Sequence, residues 1–342
     1  MQDFIIGRRR VLRTAGGLLA GAAAVGSGLI ASGVTPAFAA DAPRKLTRNT
    51  DKVRIGWGHG SLSMLAMQSD TFKKSLAEKD IKVEWVGPFP NHAPSMQAVV
   101  GGSADFGFWG STTPALAAML AGSPLVFNAF NIYSPRSTAI IVKKTSGINS
   151  VKDLVGKTVA VNRSGLGEFL LVAALEQNGI DRSKVNMIYL NPPDAAPAFA
   201  QGKIDAWSMW SPAVDIARFG NDAKDIFNEG RDLKFLIDFN SLVTLRKFSE
   251  ENSALIRAVL DAYYTVGQWQ SAHPADSEKI LQAEGKYPDE VRDYLTSLKR
   301  VNHFYEADDP DFNKQFQRAA DWLADRKIIR SHVKVADYCY RV

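Results

Sequence analysis

The sequence predicts an α/β fold made of two hinged lobes, each a mostly parallel sheet flanked by helices. Strand-like and helix-like segments alternate along most of the chain, which is typical of parallel sheets. A Gly-x-x-Asp turn followed by an apolar strand and a serine occurs at residues 102–111 and again at residues 202–211, a constant offset of 100 residues. In open α/β sheets, ligands bind at the carboxyl ends of strands. Two matching sheet edges therefore predict a ligand held between two lobes.

The first 39 residues have the order of an export signal. Paired arginines at residues 8–10 precede an apolar run at residues 15–34, and residues 37–39 offer small side chains for cleavage. The arginine pair favours the twin-arginine route. A retained membrane anchor is the alternative, and the many glycines and the cleavage site oppose it. We expect a twin-arginine signal peptide at residues 1–39 and a mature protein in the periplasm.

Charge and cysteine content narrow the function classes. The chain has 41 basic and 36 acidic residues, and removing the four arginines and one aspartate of residues 1–39 leaves a net charge of +2. This small charge gives no support for binding to nucleic acid or to a membrane surface. Cys339 is the single cysteine, so no intramolecular disulfide can form and no cysteine cluster can hold a metal. We expect no metal and no cofactor.

The first predicted lobe covers residues 50–134 and, after the chain returns, residues 243–342. A strand at residues 52–57 leads through the glycine loop at residues 58–61 into an amphipathic helix. Such a helix start offers unpaired N–H groups and a positive dipole end, which suits a bound anion. The other predicted elements are strands at residues 81–86, 105–109 and 125–130, helices at residues 95–100 and 114–120, and a helical tail at residues 251–270, 277–282, 289–298 and 311–325.

The second predicted lobe covers residues 135–242. The loop at residues 162–167 opens a helix at residues 168–178 and so repeats the loop and helix start of the first lobe. The other predicted elements are strands at residues 138–142, 158–161 and 185–190 and helices at residues 150–154 and 194–201. Two crossings of the chain, near residues 134 and 240, would form the hinge.

Four stretches carry a resemblance to a known family. They are residues 55–63, which include Gly-Ser-Leu-Ser, residues 102–107 (Gly-Ser-Ala-Asp-Phe-Gly), residues 151–160 (Val-Lys-Asp-Leu-Val-Gly-Lys-Thr-Val-Ala), and residues 204–212, which include Asp-Ala-Trp and Trp-Ser-Pro. In this order they resemble the periplasmic solute-binding proteins of ABC importers, in the branch for nitrate, taurine, aliphatic sulfonates and thiamine-precursor pyrimidines. Asp-Ala-Trp and Trp-x-Pro indicate the sulfonate branch, whose members often have Trp-Asp-Pro where this chain has Trp-Ser-Pro.

The resemblance implies a type II periplasmic binding protein fold and a monomer that captures its solute by hinge closure. The closed protein would deliver the solute to a membrane permease driven by an ATPase, with delivery to a sensor as the alternative. The expected ligand is a small organic anion, in the first place an aliphatic sulfonate or a taurine-like compound. An aromatic sulfonate, nitrate, a carboxylate and a thiamine-precursor pyrimidine stay open as alternatives.

A sulfonate is a permanent monoanion with three acceptor oxygens, so its site needs several donors. The candidate ligand-binding residues at strand ends and helix starts are Gly60, Ser61, Ser111, Thr112, Arg163, Ser164, Gly165 and Trp210. Each hydroxyl taken alone is more often a helix cap or a turn residue. Arg163 and Arg136 are candidate charge partners for the anion, and solvated surface arginines are the alternative interpretation.

Tryptophans near these loops favour a ligand with a carbon skeleton over bare nitrate. Trp57 and Trp207 lie within predicted strands, and we expect both in the core. Trp109 and Trp210 lie at strand exits, and we expect them at the pocket.

An enzyme of the same fold is the main alternative function. Aromatic sulfinate desulfinases share this fold and depend on a cysteine nucleophile near the first loops, whereas Cys339 lies in the C-terminal tail. The related thiamine-pyrimidine synthases use a cysteine-rich segment, which this chain also lacks. His59 and His92 precede helices, where a lone histidine is more often hydrogen-bonded or exposed than catalytic. We therefore expect a binding protein without catalytic residues.

Overall fold

The computed structural model describes residues 46–342. The predicted signal peptide at residues 1–39 lies outside the described residues. Between residues 46 and 342, the structure contains no helix that is both long enough and apolar enough to cross a membrane.

We call the part of the molecule that holds the two-stranded and the four-stranded sheet the first half, and the part that holds the five-stranded sheet the second half. The first half begins with a pair of parallel strands. Its first elements are β1 (Lys52–Gly56), α1 (Leu62–Gln68), α2 (Asp70–Ala77) and β2 (Lys82–Val86). β1 pairs in parallel with β2, and Ile55 of β1 also forms a single parallel bridge to Phe106. The strand expected at residues 105–109 is thus reduced to one bridge residue.

A four-stranded antiparallel sheet completes this half. In spatial order its strands are β11 (Val301–Glu306), β4 (Leu125–Ser134), β10 (Asn240–Leu245) and β3 (Gly110–Ser111). The helices that pack on it include α3 (His92–Val100) and α4 (Thr112–Leu120). Because β3 runs directly into α4, Ser111 lies at the junction of a strand end and a helix start.

The second half contains a five-stranded sheet. In spatial order its strands are β7 (Asn186–Tyr189), β6 (Thr158–Val161), β8 (Ala206–Met209), β5 (Ala139–Lys143) and β9 (Ala223–Asn228). The α-helices of this region are α5 (Leu166–Gln177), α6 (Pro192–Ala200), α7 (Ala213–Gly220) and α8 (Glu229–Asp232). β6 pairs in parallel with β7 and β8, whereas β5 is antiparallel to both of its neighbours.

The α/β fold class is confirmed, but the expectation of mostly parallel sheets is wrong, because the four-stranded sheet is antiparallel and the five-stranded sheet is mixed. The chain leaves the first half from β4 into β5 and returns from β9 into β10. The outward and return strands necessarily run in opposite directions, so β4 pairs antiparallel with β10, and β5 with β9. Strands linked by crossover helices, such as β6 and β7, keep the parallel pairing that the sequence predicts.

The C-terminal region is helical apart from one strand. Its helices are α9 (Arg246–Glu251), α10 (Ser253–Ala272), α11 (Pro274–Gly285), α12 (Asp289–Ser297) and α13 (Pro310–Asp325). Phe312 and Phe316 of α13 pack against Phe130 of β4, with ring centroids 4.4 and 5.3 Å apart. This aromatic cluster fixes one face of the four-stranded sheet and leaves the opposite face for α10 and the site described below.

Candidate functional site

A cavity of about 450 Å³ lies where loops from both halves meet. Its walls come from the loops after β1, β2, β6 and β8, from the start of α3, and from β3, and its floor includes residues of β4, β10 and β11. A side-chain carbon added at Gly60 would lie 3.0 Å from Pro212 Cδ, so the two halves approach closely at the cavity. This volume is within the usual range for small organic ligands.

The structure brings most of the predicted site residues to this cavity. Those that line it are Gly60, Ser61, Ser111, Arg163, Ser164, Gly165 and Trp210. Thr112 is fully buried beside the cavity and does not line it.

Ser61 begins α1 as its N-cap residue. Its Oγ accepts a hydrogen bond from the Met64 N–H at 3.2 Å and donates to the Gly58 carbonyl oxygen at 2.7 Å. The hydroxyl proton is therefore already used within the loop. In this structure Ser61 thus acts as a helix cap, which is the alternative interpretation of this residue given above.

The N-terminal donors at the start of α4 are already bonded to a carboxylate of the protein, that of Asp238. Asp238 Oδ1 accepts hydrogen bonds from Thr112 Oγ1 at 2.8 Å and from the Thr113 N–H and Thr113 Oγ1, both at 2.9 Å. Asp238 thus satisfies N-terminal donors of the helix and complements its dipole. Ser111 Oγ differs, because it is buried at the cavity and has no hydrogen-bond partner among the described residues.

The start of α5 is also partly occupied by side chains of the protein. The Ser164 N–H donates to Glu168 Oε2 at 2.6 Å, and the Gly167 N–H donates to Asn162 Oδ1 at 3.2 Å. Tyr189 Oη in turn donates to Glu168 Oε1 at 3.0 Å. The donors that this loop still offers to a ligand are therefore fewer than its sequence suggests.

The two candidate arginines differ in their partners. The Arg136 side chain is only 8% exposed and donates from Nε to Glu229 Oε1 at 3.0 Å. Arg163 is exposed, its guanidinium carbon lies 3.8 Å from the centre of the Tyr189 ring, and no carboxylate of residues 46–342 forms an ion pair with it. Arg163 thus brings an uncompensated positive charge to the cavity lining.

Two of the four tryptophans near these loops line the cavity. Trp207 is fully buried, and Trp57 packs on the core of the first half without lining the cavity. Trp109 and Trp210 both line the cavity. Trp109 packs edge-on against Tyr263, and its buried Nε1 is a donor without a partner among the described residues.

Ser111 and His92 do not form a catalytic pair. His92 Nδ1 lies 2.8 Å from the Ser111 carbonyl oxygen, and burial lowers the pKa of His92 to about 4, so the ring is neutral near pH 7. His92 Nε2 and Ser111 Oγ both lack hydrogen-bond partners and hence do not bond each other. His59 is exposed and lies 3.9 Å from Glu284 Oε1.

The single cysteine is also unsuited to catalysis here. Cys339 does not line the cavity, and burial raises the pKa of its thiol to about 12. The thiolate needed for nucleophilic attack is therefore disfavoured at neutral pH. Over residues 46–342, no cluster of histidine, cysteine and carboxylate side chains could hold a metal.

Sequence reasoning missed a buried ion pair at one end of the cavity. Arg300 donates to Glu278 Oε1 at 3.2 Å and to Ser137 Oγ at 3.1 Å, and its guanidinium carbon lies 4.3 Å from the centre of the Tyr133 ring. Burial raises the pKa of Glu278, and Arg300 opposes that rise. These residues lie far apart along the chain, in regions that carry no local motif.

A row of amides that lines the cavity floor was missed as well. We call Asn240, Asn131, Asn302 and Gln270 the amide row. Asn240 Nδ2 is 3.5 Å from Asn131 Oδ1, Asn131 Nδ2 is 3.1 Å from Asn302 Oδ1, and Asn302 Nδ2 is 2.8 Å from Gln270 Oε1. Its members come from β10, β4, β11 and α10, so only the folded sheet brings them together.

Curated relatives at or above 30% identity are named as binding proteins. An aliphatic sulfonates-binding protein of Bacillus subtilis strain 168 is 31% identical over 291 residues, which cover 84% of this chain and 85% of that protein. Another of that name, from Escherichia coli strain K12, is 33% identical over 214 residues, which cover 62% of this chain and 65% of that protein's length.

Solved structures share the fold. The alkanesulfonate-binding protein SsuA of Xanthomonas axonopodis pv. citri, bound to MOPS, has a TM-score of 0.78 at 24% identity, covering 86% of this chain and all of that one. The desulfurization enzyme DSZB has a TM-score of 0.63 at 13% identity, covering 85% of this chain and 97% of that one. One fold therefore serves both a binding protein and an enzyme.

The family assignment rests on sequence. A family profile described as NMT1/THI5 like matches residues 75–277, which is more than half of the chain. This stretch includes β3 and the loops that follow β2, β6 and β8 at the cavity. The chain belongs to the NMT1/THI5-like family.

Proposed function

We propose that this protein is the periplasmic solute-binding component of an ABC importer and captures a small organic anion, an aliphatic sulfonate or a taurine-like compound. The names of the relatives support this class of solute. The captured solute would pass to a membrane permease and its ATPase. Export of a monomer through the twin-arginine route stays a prediction from the sequence.

The unpaired charge of Arg163 is the observation that carries the proposal. Arg136 and Arg300 also line the cavity, but Glu229 and Glu278 compensate their charges. Arg163 has no such carboxylate within residues 46–342 and stays held over the Tyr189 ring. A guanidinium with free donors binds a sulfonate oxygen by charge-assisted hydrogen bonds.

Neutral donors and apolar walls would complete the binding. Ser111 Oγ and Trp109 Nε1 supply two unpartnered donors at the cavity, and Trp210 supplies an apolar surface. We propose that one lobe consists of residues 50–134 and 243–342 and the other of residues 135–242. The hinge would lie where the chain crosses between them, near residues 134 and 240. Closing these two parts around the solute would bury it and exclude water.

Binding without chemistry is the function that the site supports best. Cys339 does not line the cavity, and Ser111 and His92 do not bond each other. The likeness to DSZB concerns the fold alone and supplies no nucleophile in this chain. We therefore propose a binding protein and keep turnover as an outcome to be measured.

The ligand test uses thermal shift and calorimetry of the purified protein. The compounds are taurine, propane-1-sulfonate, an aromatic sulfonate, nitrate and a pyrimidine, each analysed by mass after incubation. We expect a saturable rise in melting temperature with sulfonates, which are recovered unchanged. Release of sulfite would indicate an enzyme, and binding of nitrate or the pyrimidine alone would indicate those alternatives.

The role of Arg163 is tested by Arg163→Met, with Arg182→Met as the matched control. Arg182 is an exposed arginine of the same half that does not line the cavity. We expect Arg163→Met to weaken sulfonate binding by about tenfold or more, because a hydrogen bond to a charged group is lost. Equal affinities of the two variants would remove Arg163 from the site.

A further inference from the structure

The part of the cavity floor formed by the amide row and the ion pair of Arg300 and Glu278 is polar without carrying a net charge. All four residues of the amide row line the cavity, and the ion pair of Arg300 and Glu278 lies among the same lining residues. Because each charge of that pair has its opposite 3.2 Å away, this part of the cavity does not call for a second ionic group on the ligand. It presents hydrogen-bonding groups instead.

The strand register places the amide row beside Ser111. Asn240 is the cross-strand partner of Ser111 on one side and of Asn131 on the other. Directly opposed residues point to the same face of a sheet, and neighbouring strands lie about 4.8 Å apart. Ser111 and Asn131 are therefore about 10 Å apart. The floor thus extends over the length of several carbon atoms.

Donors and acceptors remain free along this floor. Within residues 46–342, Gln270 Nε2 donates no hydrogen bond and Asn240 Oδ1 accepts none. Trp109 Nε1 and Arg300 Nε are buried donors without partners, with only 4% and 8% of these residues exposed. A buried polar group without a partner is costly, so a ligand that supplies partners gains affinity.

We propose that the solute is a sulfonate whose carbon skeleton carries hydroxyl groups, and that these hydroxyls bond the amide row. This inference rests on the proposed function for its acidic head group. A hydroxyl both donates and accepts, so it matches a row that offers both kinds of group. A plain alkyl chain would desolvate the same amides and leave them unpaired, which opposes its binding.

The experiment compares ligands that differ only in hydroxyl groups. Calorimetry measures the affinity of the purified protein for propane-1-sulfonate and 2,3-dihydroxypropane-1-sulfonate, and for the carboxylate pair propionate and glycerate. We expect the dihydroxy sulfonate to bind about tenfold or more tightly than its alkyl counterpart. Equal affinities, or tighter binding of the alkyl compound, would overturn the inference.

Two variants locate the effect in the amide row. Asn131→Leu and Gln270→Leu should each bring the affinity ratio of the sulfonate pair close to one. Asn128→Leu is the matched control, because Asn128 is a buried asparagine of the same strand that bonds Ser249 and Thr244 and does not line the cavity. It should leave the ratio unchanged. An unchanged ratio in both row variants would overturn the assignment to the row.

The ligand set separates this inference from the proposed function. If both sulfonates bind with equal affinity, the proposed function stands and the inference fails. If neither sulfonate binds but glycerate binds more tightly than propionate, the sulfonate head group is wrong and the row still recognises hydroxyls. If no dihydroxy compound exceeds its alkyl counterpart in either pair, the inference is overturned.

Discussion

Two copies of one structural unit end at the cavity, at residues 92–111 and at residues 192–211. The helices α3 and α6 begin at His92 and Pro192 and keep the offset of 100 residues. After each helix, an aspartate ties the turn to a strand of its half, β1 in the first half and β6 in the second. Asp105 Oδ2 accepts from the Arg54 N–H at 2.7 Å, and Asp205 Oδ2 accepts from the Thr158 N–H at 2.8 Å.

The two copies differ in their last serine. Ser111 Oγ has no partner, whereas Ser211 Oγ bonds the Asp215 carboxylate and lies 2.8 Å from Ser137 Oγ. Four residues after each serine, the first copy has Ala115 and the second has Asp215, and both are fully buried. The same turn thus ends in a serine with a free hydroxyl in one half and in a hydrogen-bonded serine in the other. The difference follows from one residue of the next helix, which is Ala115 in the first copy and Asp215 in the second.

The largest effect is expected from Asp215→Ala, which makes the second copy resemble the first. Asp215 is fully buried and pairs with Arg218, which also lies 2.8 Å from Asp225. Removing one partner of a buried ion pair costs about 3 kcal/mol, although Asp225 keeps part of the compensation. Urea unfolding should show this loss, and Lys144→Ala, which breaks an exposed pair with Asp222, should cost less than about 1 kcal/mol.

The same residue gives a pH dependence with a definite sign. Burial raises the pKa of Asp215 above its ordinary value of 3.8, and Arg218 opposes this rise. The folded state then holds the proton more tightly than the unfolded chain, so the contribution of Asp215 to the free energy of unfolding falls as pH rises above about 4. The stability of the wild type relative to Asp215→Asn should therefore fall as pH rises above about 4. A constant difference would contradict it.

The next effect compares the two turn aspartates. Asp105 also accepts from Arg54 Nε at 3.2 Å and from Arg54 Nη2 at 2.7 Å, whereas Asp205 bonds only backbone. We expect Asp105→Ala to lower the free energy of unfolding by about 2 kcal/mol and Asp205→Ala by about 1 kcal/mol. Arg54→Met combined with each aspartate variant is the control, because it should abolish the difference between them. Equal losses in the single variants would show that Arg54 adds nothing.

Local patterns explain which elements the sequence predicted. The helices α12 and α13 have strong apolar periodicity, and all four helices from α10 to α13 lie within a few residues of their predicted spans. β11 was missed because it is a short edge strand whose alternating exposure gives little apolar signal. The Gly-x-x-Asp repeat was visible in the sequence because the residues of each copy lie within ten consecutive positions.

The site was only partly predictable because its partners come from distant segments. Thr112 was predicted as a ligand donor, but its hydroxyl bonds Asp238, which lies 126 residues away. The amide row joins Asn131 to Asn302 across 171 residues, and neither asparagine lies in a motif. Sequence reasoning could propose donors from strand ends and helix starts, but only the folded sheet shows which of them are already satisfied.

The smallest change in stability, and the most direct comparison of the two copies, comes from Ser111→Ala and Ser211→Ala. Ser111 Oγ has no partner to lose, so its removal should alter the free energy of unfolding by less than about 0.5 kcal/mol. Its loss should weaken sulfonate binding about tenfold, because a donor to the anion disappears.

Ser211→Ala should do the reverse, costing about 1 kcal/mol of stability because its bond to Asp215 is lost, with little change in affinity. Urea unfolding and calorimetry on both variants measure this. If both serines affected stability alone, Ser111 would be a packing residue and the donor role would pass to Trp109 Nε1, which is another unpartnered neutral donor at the cavity among residues 46–342.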